Sequence, residues 1–104
     1  MDQKLTMTRG DTATIGMIIE QLDQDLDTAF LTVRAGFDSG ISFQKSLDDG
    51  ITKQGIGIYL VRIDPNDTKS LPAGEYFYDL EIGVNGDVFT VLRGILSVLP
   101  DVTH

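Results

Sequence analysis

The sequence predicts an all-β protein, an immunoglobulin-like antiparallel β-sandwich of seven to eight strands. Three observations indicate this fold class. Short runs rich in Ile, Val, Thr, Phe and Tyr recur at intervals of about 8–12 residues, turn residues separate them, and no convincing helical repeat interrupts them. A chain of 104 residues is long enough for one domain and too short for two, so we expect a single domain over residues 1–104.

The first strands follow from alternation and turn chemistry. In the second run, Ile15, Met17 and Ile19 can share one face because successive side chains of a strand point to opposite sides. Clusters of Asp, Ser and Gly bound the fourth run and are typical of turns. The runs that predict strands cover residues 4–8, 12–19, 29–36, 41–46, 55–63, 76–82 and 88–98.

Residues 20–28 are polar and rich in carboxylates, which favours an irregular loop between the second and third strands. The spacing of Ile18, Leu22 and Leu26 leaves one or two helical turns as an alternative.

The last third of the chain predicts a β-hairpin. Asn85 and Gly86 separate two alternating runs, and this pair is the strongest short signal for a type I′ turn, which needs positive φ at both central residues. Gly94, inside the final strand, suggests a bulge or a close approach of backbone.

A tyrosine corner is predicted where the longest pair of strands begins. Pro72 fixes φ for a turn, Gly74 permits positive φ, and Tyr76 follows at the start of a strand. In immunoglobulin-like sandwiches a Tyr at this place donates its hydroxyl to upstream backbone while its ring fills the core. We therefore expect a structural role for Tyr76.

Composition excludes most enzyme classes. The chain has no Cys, and its single His is the last residue, His104. Thiolate nucleophiles, Cys metal sites and His-based triads are thus ruled out or disfavoured, and we expect no cofactor and no enzyme activity. The formal charge of −8 disfavours partners that are nucleic acids or anionic membranes. No apolar run is long enough to span a bilayer, and no secretory signal is visible at the N-terminus.

Two short motifs have a simpler explanation than a binding site. Asp23, Asp25 and Asp27 match the first three ligand positions of a calcium loop, which makes them weak metal candidates, but Thr28 stands where the loop needs Gly. We expect a solvated acidic loop. The adhesion-like tripeptide at residues 9–11 is explained by turn and charge propensity.

Sheet edges and aromatic side chains are the remaining candidates for recognition. Charged residues protect open edges, and the candidates for this role are Lys45, Lys53, Arg62 and Arg93. A carbohydrate-binding surface would use Tyr59, Phe77 or Tyr78 as a stacking platform.

Several segments together resemble a known family. They are residues 7–12, 25–29, 67–68, 71–80, 90–98 and 101–103, with the motifs Arg-Gly-Asp-Thr, Gly-x-Tyr-x-Tyr-Asp and Gly-x-Leu-x-Val. Their order is similar to that in the N-terminal immunoglobulin-like domain of upper baseplate and tail-associated proteins of tailed phages and prophages. Larger relatives continue into receptor-binding or fibre regions. Because this chain ends at His104, we expect attachment through the sandwich alone, as an adaptor or decoration protein.

The resemblance implies a non-enzymatic virion structural protein that acts by protein–protein assembly. The implied partners are other tail or baseplate proteins and further copies of the chain, with the protein in the host cytoplasm before assembly and in the virion afterwards. The alternative is a β-sandwich module that binds a carbohydrate or a receptor.

Overall fold

The computed structural model describes residues 2–20, 22–36 and 38–101, and these residues form eight strands and one helical turn. The elements are β1 (Asp2–Thr8), β2 (Ala13–Ile18), β3 (Thr28–Arg34), β4 (Ile41–Leu47), β5 (Gly50–Gly55), β6 (Ile58–Ile63), α1 (Pro65–Thr68), β7 (Gly74–Val84) and β8 (Asp87–Leu99). The predicted number of strands is confirmed at its upper value.

The strands follow the hydrogen-bonded order β1-β8-β7-β3-β4-β5-β6-β2. Only two residue pairs, in parallel, join β4 to β5. The two layers of the sandwich meet at this seam. One layer is formed by β1-β8-β7-β3-β4 and the other by β5-β6-β2, which is the arrangement of an immunoglobulin-like sandwich. Leu5 and Met7 of β1 share a cleft with Ala13 and Ile15 of β2, which brings the two ends of the strand order close together.

The core lies between the layers and is built by alternation along each strand. In β7, Tyr76, Tyr78, Leu80 and Ile82 are buried. They face side chains of the second layer such as Tyr59, which is only 1% exposed. The predicted shared face of Ile15, Met17 and Ile19 is confirmed and points inward, because Met17 is buried and Ile15 and Ile19 pack against the core.

The prediction of one strand over residues 55–63 was wrong. Residues Ile56 and Gly57 form a turn, and β6 begins at Ile58. The strand before the turn, β5, was missed because its one buried apolar side chain is Ile51, which gives no alternation to detect. The turn requires the glycine, since Gly57 has φ of 76° and a Cβ there would lie 2.8 Å from the carbonyl oxygen of Ile19.

The long hairpin of β7 and β8 contains the predicted turn, but its bulge does not lie at the predicted residue. Asn85 and Gly86 have φ of 54° and 83°, as a type I′ turn requires. The register skips Val91, because Leu80 pairs with Leu92 and the next residue pairs with Thr90. The bulge therefore lies at Val91 and not at Gly94, which pairs in register with Tyr78.

The loop prediction for residues 20–28 agrees with the structure, in which the described residues between β2 and β3 contain no helical turn. The one-turn helix α1 was not predicted. Its four residues are too few for a periodic pattern, although Pro65 at its start is a favoured first helical residue.

Candidate interaction surfaces

One end of the sandwich, the anchored end, comprises residues 8–11, 64–76 and 99–101 and is fixed by side-chain hydrogen bonds. The guanidinium of Arg9 donates to Oδ1 of Asp101 from Nε and Nη2 at 3.0 and 2.7 Å, and to the carbonyl oxygen of Leu71 from Nη1 at 3.2 Å. The amide of Gly10 donates to Oγ1 of the fully buried Thr68 at 2.9 Å. The tripeptide at residues 9–11 thus ties a turn to two other segments.

The predicted corner residues lie at the same end. The hydroxyl of Tyr76 donates to the carbonyl oxygen of Pro72 at 2.6 Å while the ring is buried in the core. Gly74 between them has φ of 149°, a conformation that other residues rarely adopt. This is the geometry of a tyrosine corner at the start of β7.

A buried lysine holds α1 against the sheet. Nζ of Lys45 lies 2.6 Å from Oδ2 of Asp67 and 3.3 Å from Oδ2 of Asp64. Burial lowers the pKa of Lys45, but the hydrogen bonds and charges of Asp67 and Asp64 outweigh it and raise the pKa above its usual value. The hydrogen bond from Arg62, with a second from Lys45, lowers the pKa of Asp64. Both shifts stabilise the ionised forms near neutral pH.

The opposite end, the acidic end, comprises residues 18–20, 22–28, 53–58 and 81–89. Main-chain hydrogen bonds join its segments. The amide of Ile19 donates to the carbonyl oxygen of Gly57 at 2.8 Å, and the amide of Asp27 donates to that of Gly83 at 2.7 Å. The amide of Leu26 donates to the Tyr59 hydroxyl at 3.2 Å, so the core also supports the loop.

Exposed apolar side chains concentrate at the acidic end. Seven large hydrophobic residues of the described chain are exposed, and five of them lie here: Ile18, Ile56, Ile58, Val88 and Phe89. Ile18 is the most exposed at 78%, and it stands directly across from Ile58 in the β2–β6 register. Val88 and Phe89 lie beyond the loop, at the tip of the long hairpin. The other two, Ile41 and Leu99, lie elsewhere.

The acidic loop does not gather its carboxylates around a common point. Asp25 pairs with Lys53 at 2.5 Å, which raises the pKa of the lysine through their hydrogen bond. Asp27 accepts the amide of Asn85 at 3.0 Å through Oδ2, and Asp23 is exposed. Within residues 2–20, 22–36 and 38–101, no group of three or more carboxylate or imidazole side chains could hold a metal ion.

The outer face of the first layer carries a shallow concavity of about 800 Å³. Phe77 and Ile95 contribute apolar surface, and Lys4, Arg34 and Arg93 contribute charge. Of the three aromatic residues predicted as alternatives for a stacking platform, Tyr59 and Tyr78 are buried, with 1% and 3% exposure. Both tyrosines have an apolar residue on at least one side, so their neighbours in the sequence do not show which face is buried. Of the three rings, only that of Phe77 is partly accessible.

The predicted edge charges do not lie on the outermost strands. Lys45, Lys53, Arg62 and Arg93 belong to β4, β5, β6 and β8, whereas the strand order ends with β1 and β2. Lys45 and Lys53 lie on β4 and β5, the strands that border the seam between the two layers. Position in a sheet depends on long-range pairing, which the local sequence does not reveal. Strand β2 carries no charged residue at all.

The single helix of the described residues is far too short to cross a membrane.

Comparison with known proteins reveals similarity of fold. No protein-family model and no curated protein matches the sequence. Among solved structures, the chain is similar to the endo-β-1,4-mannanase from Thermotoga petrophila, with a TM-score of 0.62 and 16% identity. That match covers 97% of this chain but only 18% of the mannanase chain. The chain is an immunoglobulin-like β-sandwich.

A second solved structure supports this fold. It is the ZIG-8–RIG-5 IG1–IG1 heterodimer, with a TM-score of 0.52 and 15% identity, covering 95% of this chain and 83% of the other. At these identities both likenesses concern the fold alone.

Sequence reasoning missed the two features that distinguish the ends of the sandwich. It did not pair Lys45 with α1, because the partners are 19 or more residues away. It also did not separate exposed isoleucines from core isoleucines. Alternation shows which residues share a face with Ile18 or Ile58, but it does not show whether that face points to the core or to solvent.

Proposed function

We propose that this protein is a non-enzymatic structural component of a tailed phage or prophage virion, in the baseplate or tail or as a decoration protein, and that it acts by protein–protein assembly. The observation that carries the proposal is the concentration of five exposed large hydrophobic side chains at the acidic end. The resemblance of the sequence to baseplate and tail-associated domains supplies the type of assembly.

The distribution of the apolar residues favours an interface. Scattered exposed apolar residues are normal on a soluble protein, but a concentration at one end marks a docking surface. Main-chain hydrogen bonds fix the segments that present them, so docking requires little ordering of loops. A preformed surface of this kind suits repeated incorporation into a symmetric assembly.

The charge at this end defines the partner. The carboxylates of the loop and hairpin are Glu20, Asp23, Asp25, Asp27, Glu81 and Asp87, and Lys53 is the single base among them. Two acidic ends therefore repel each other, whereas a partner with apolar residues and a basic rim is attracted. The partner is a tail or baseplate protein with such a surface, and the chain is made in the bacterial cytoplasm and ends in the virion.

Particle composition tests this proposal. Tailed particles induced from the encoding strain are purified on a density gradient, and their proteins are quantified by mass spectrometry. We expect the chain to sediment with the tail proteins at a constant ratio across the particle peak. A chain that stays in the soluble fraction while tail proteins sediment would overturn the proposal, as would metabolic genes on both sides of its own gene.

The second candidate, a carbohydrate- or receptor-binding module, is favoured by the concavity around Phe77. One partly accessible aromatic ring beside Arg34 and Asp79 offers stacking and hydrogen bonding to a sugar. A glycan microarray probed with the wild-type protein and with Phe77→Ala distinguishes this candidate. Binding that disappears in the variant supports it, and the absence of binding by the wild type removes it.

A further inference from the structure

The open edge of the second layer is a second candidate surface, which shares Ile18 with the acidic end. Strand β2 is the last in the sheet order, and its one strand partner among the described residues is β6. One side of β2 therefore has main-chain N–H and C=O groups that no strand of the described chain pairs, which makes it a template for an added strand.

This edge lacks the protection that the other edge has. The other outermost strand, β1, carries Lys4, and Nζ of Lys4 lies 3.4 Å from a carboxylate oxygen of Glu75. Strand β2 has the sequence Ala-Thr-Ile-Gly-Met-Ile, without a charge or a proline. Natural edge strands usually carry charged residues or prolines, which prevent pairing with another chain.

The space beside the edge is apolar. A cleft of about 330 Å³ opens between β1 and β2, and its apolar lining comes from Leu5, Met7, Ala13, Ile15, Ile63 and Leu96. Ala13 and Ile15 are half-buried, because no residue that the structure describes covers them beyond the edge. An added strand would cover this lining with its own inward side chains while it pairs with the β2 backbone.

We infer that the occupant is β2 of a second copy, paired antiparallel across a two-fold axis. The second layers of the two copies, each formed by β5-β6-β2, then become one six-stranded sheet. This inference rests on the proposed function, since it supplies the contact between copies in the assembly. Residues directly opposite each other in such a pair share a face, so the axis passes beside Ile15 or Gly16. Both positions of the axis place the exposed Ile18 against the strand of the second copy.

The distribution of charge favours contact between two copies at β2 rather than elsewhere on the surface. Each chain carries a formal charge of −8, so most approaches between copies bring carboxylates together. No charge occurs between Asp11 and Glu20, and two copies can meet along this stretch without a like-charge contact. The strand has six residues, so the contact is small, and we expect a weak, reversible dimer with a Kd of about 0.1 mM.

Sedimentation equilibrium of the full chain tests this inference. We expect dimerisation over the range from about 10 μM to about 1 mM, and tighter association in high NaCl, because salt screens the repulsion between the two chains. Amide exchange at residues 13–18 should slow as the protein concentration rises.

Two matched variants locate the contact. Thr14→Glu places a carboxylate on the edge, opposite Arg62 in the β6 register, so the monomer keeps its fold. Thr52→Glu makes the same change on an exposed residue of β5, away from the edge. We expect Thr14→Glu to weaken dimerisation at least about tenfold and Thr52→Glu to leave it as in the wild type.

Three results would overturn the inference: a wild-type protein that stays monomeric throughout, a Thr14→Glu variant that dimerises as well as the wild type, or equal losses in the two variants. Each of these leaves the particle-composition test to decide the proposed function independently. A dimer that depends on Thr14, in a protein absent from particles, would support the edge contact and overturn the virion role.

Discussion

The two ends of the sandwich differ in how their side chains are used. At the anchored end, polar side chains bond to other parts of the same molecule: Arg9 to Asp101, Tyr76 to Pro72, and Lys45 to Asp67. At the acidic end, five large apolar side chains remain in solvent, and both main-chain and side-chain hydrogen bonds hold the neighbouring loop. One end is held by polar side chains that stabilise the fold, and we propose that the other presents its apolar surface to a partner.

This difference shows where sequence changes should affect stability and where they should affect assembly. Substitutions at the anchored end remove interactions that exist in the isolated chain. Substitutions of the five exposed apolar side chains at the acidic end remove little from the isolated chain, because these side chains are already solvated. Stability and assembly can therefore be separated by matched variants from the two ends.

The largest effect on stability is expected from Lys45→Ala. It leaves Asp67 without its buried cation and should lower the free energy of unfolding by about 3 kcal/mol, at the low end for buried ion pairs because Asp64 is partly exposed. Urea denaturation measures the change. Lys53→Ala, which breaks the exposed pair at the acidic end, is the control and should leave the midpoint unchanged. Equal losses would remove the distinction between the two ends.

The hairpin at the acidic end depends on backbone conformation. Replacing Asn85 and Gly86 by Ala-Ala should cost about 2 kcal/mol, since both positions need positive φ. Asn85→Gly keeps that conformation and removes only the side chain, so it should stay close to the wild type in urea denaturation. A stable Ala-Ala variant would show that the turn does not specify the hairpin.

A smaller effect is expected from Tyr76→Phe at the anchored end. The change removes one hydrogen bond to the carbonyl of Pro72 and leaves the buried ring in place, so the loss should be about 1 kcal/mol. Thermal or urea unfolding can resolve this difference. An unchanged free energy of unfolding would mean that water replaces the bond and that the corner contributes only its ring.

The smallest effect concerns acid stability. The pKa of Asp64 is lowered in the folded protein, so its ionised form adds stability above the usual carboxyl pKa of about 3.9, and this stability is lost as pH falls through the folded value. The difference in urea midpoint between the wild type and Asp64→Asn should be present at neutral pH and shrink as the pH drops below about 4. A difference that stays constant with pH would contradict this assignment.

Much of the fold could be predicted from local patterns, and the surfaces could not. Alternation in β7, the Asn85-Gly86 pair and the Pro72-to-Tyr76 spacing each act within a few residues, so the sequence contains their signal directly. Strand β5 has one buried apolar side chain and exists through its pairing with β6. Such pairing depends on residues distant in the chain.

The candidate surfaces depend on the same long-range information. Whether Ile18 or Tyr59 is exposed is decided by which strand face meets the other layer, and a shift of one residue exchanges the two faces. The open edge at β2 follows from the order of all eight strands. The sequence contained a hint of the edge, since residues 12–19 form an uncharged stretch in a strongly acidic chain.

Incorporation of variants into particles tests the central claim most directly. A strain lacking the gene is supplied with the wild type, with Ile56→Ser plus Phe89→Ser at the acidic end, or with Ile41→Ser, an equally exposed isoleucine elsewhere on the sandwich. Mass spectrometry of purified particles should show the wild type and Ile41→Ser at the same copy number, with the double variant depleted although it is folded in the lysate. Full incorporation of the double variant would contradict the assignment of the acidic end as the docking surface.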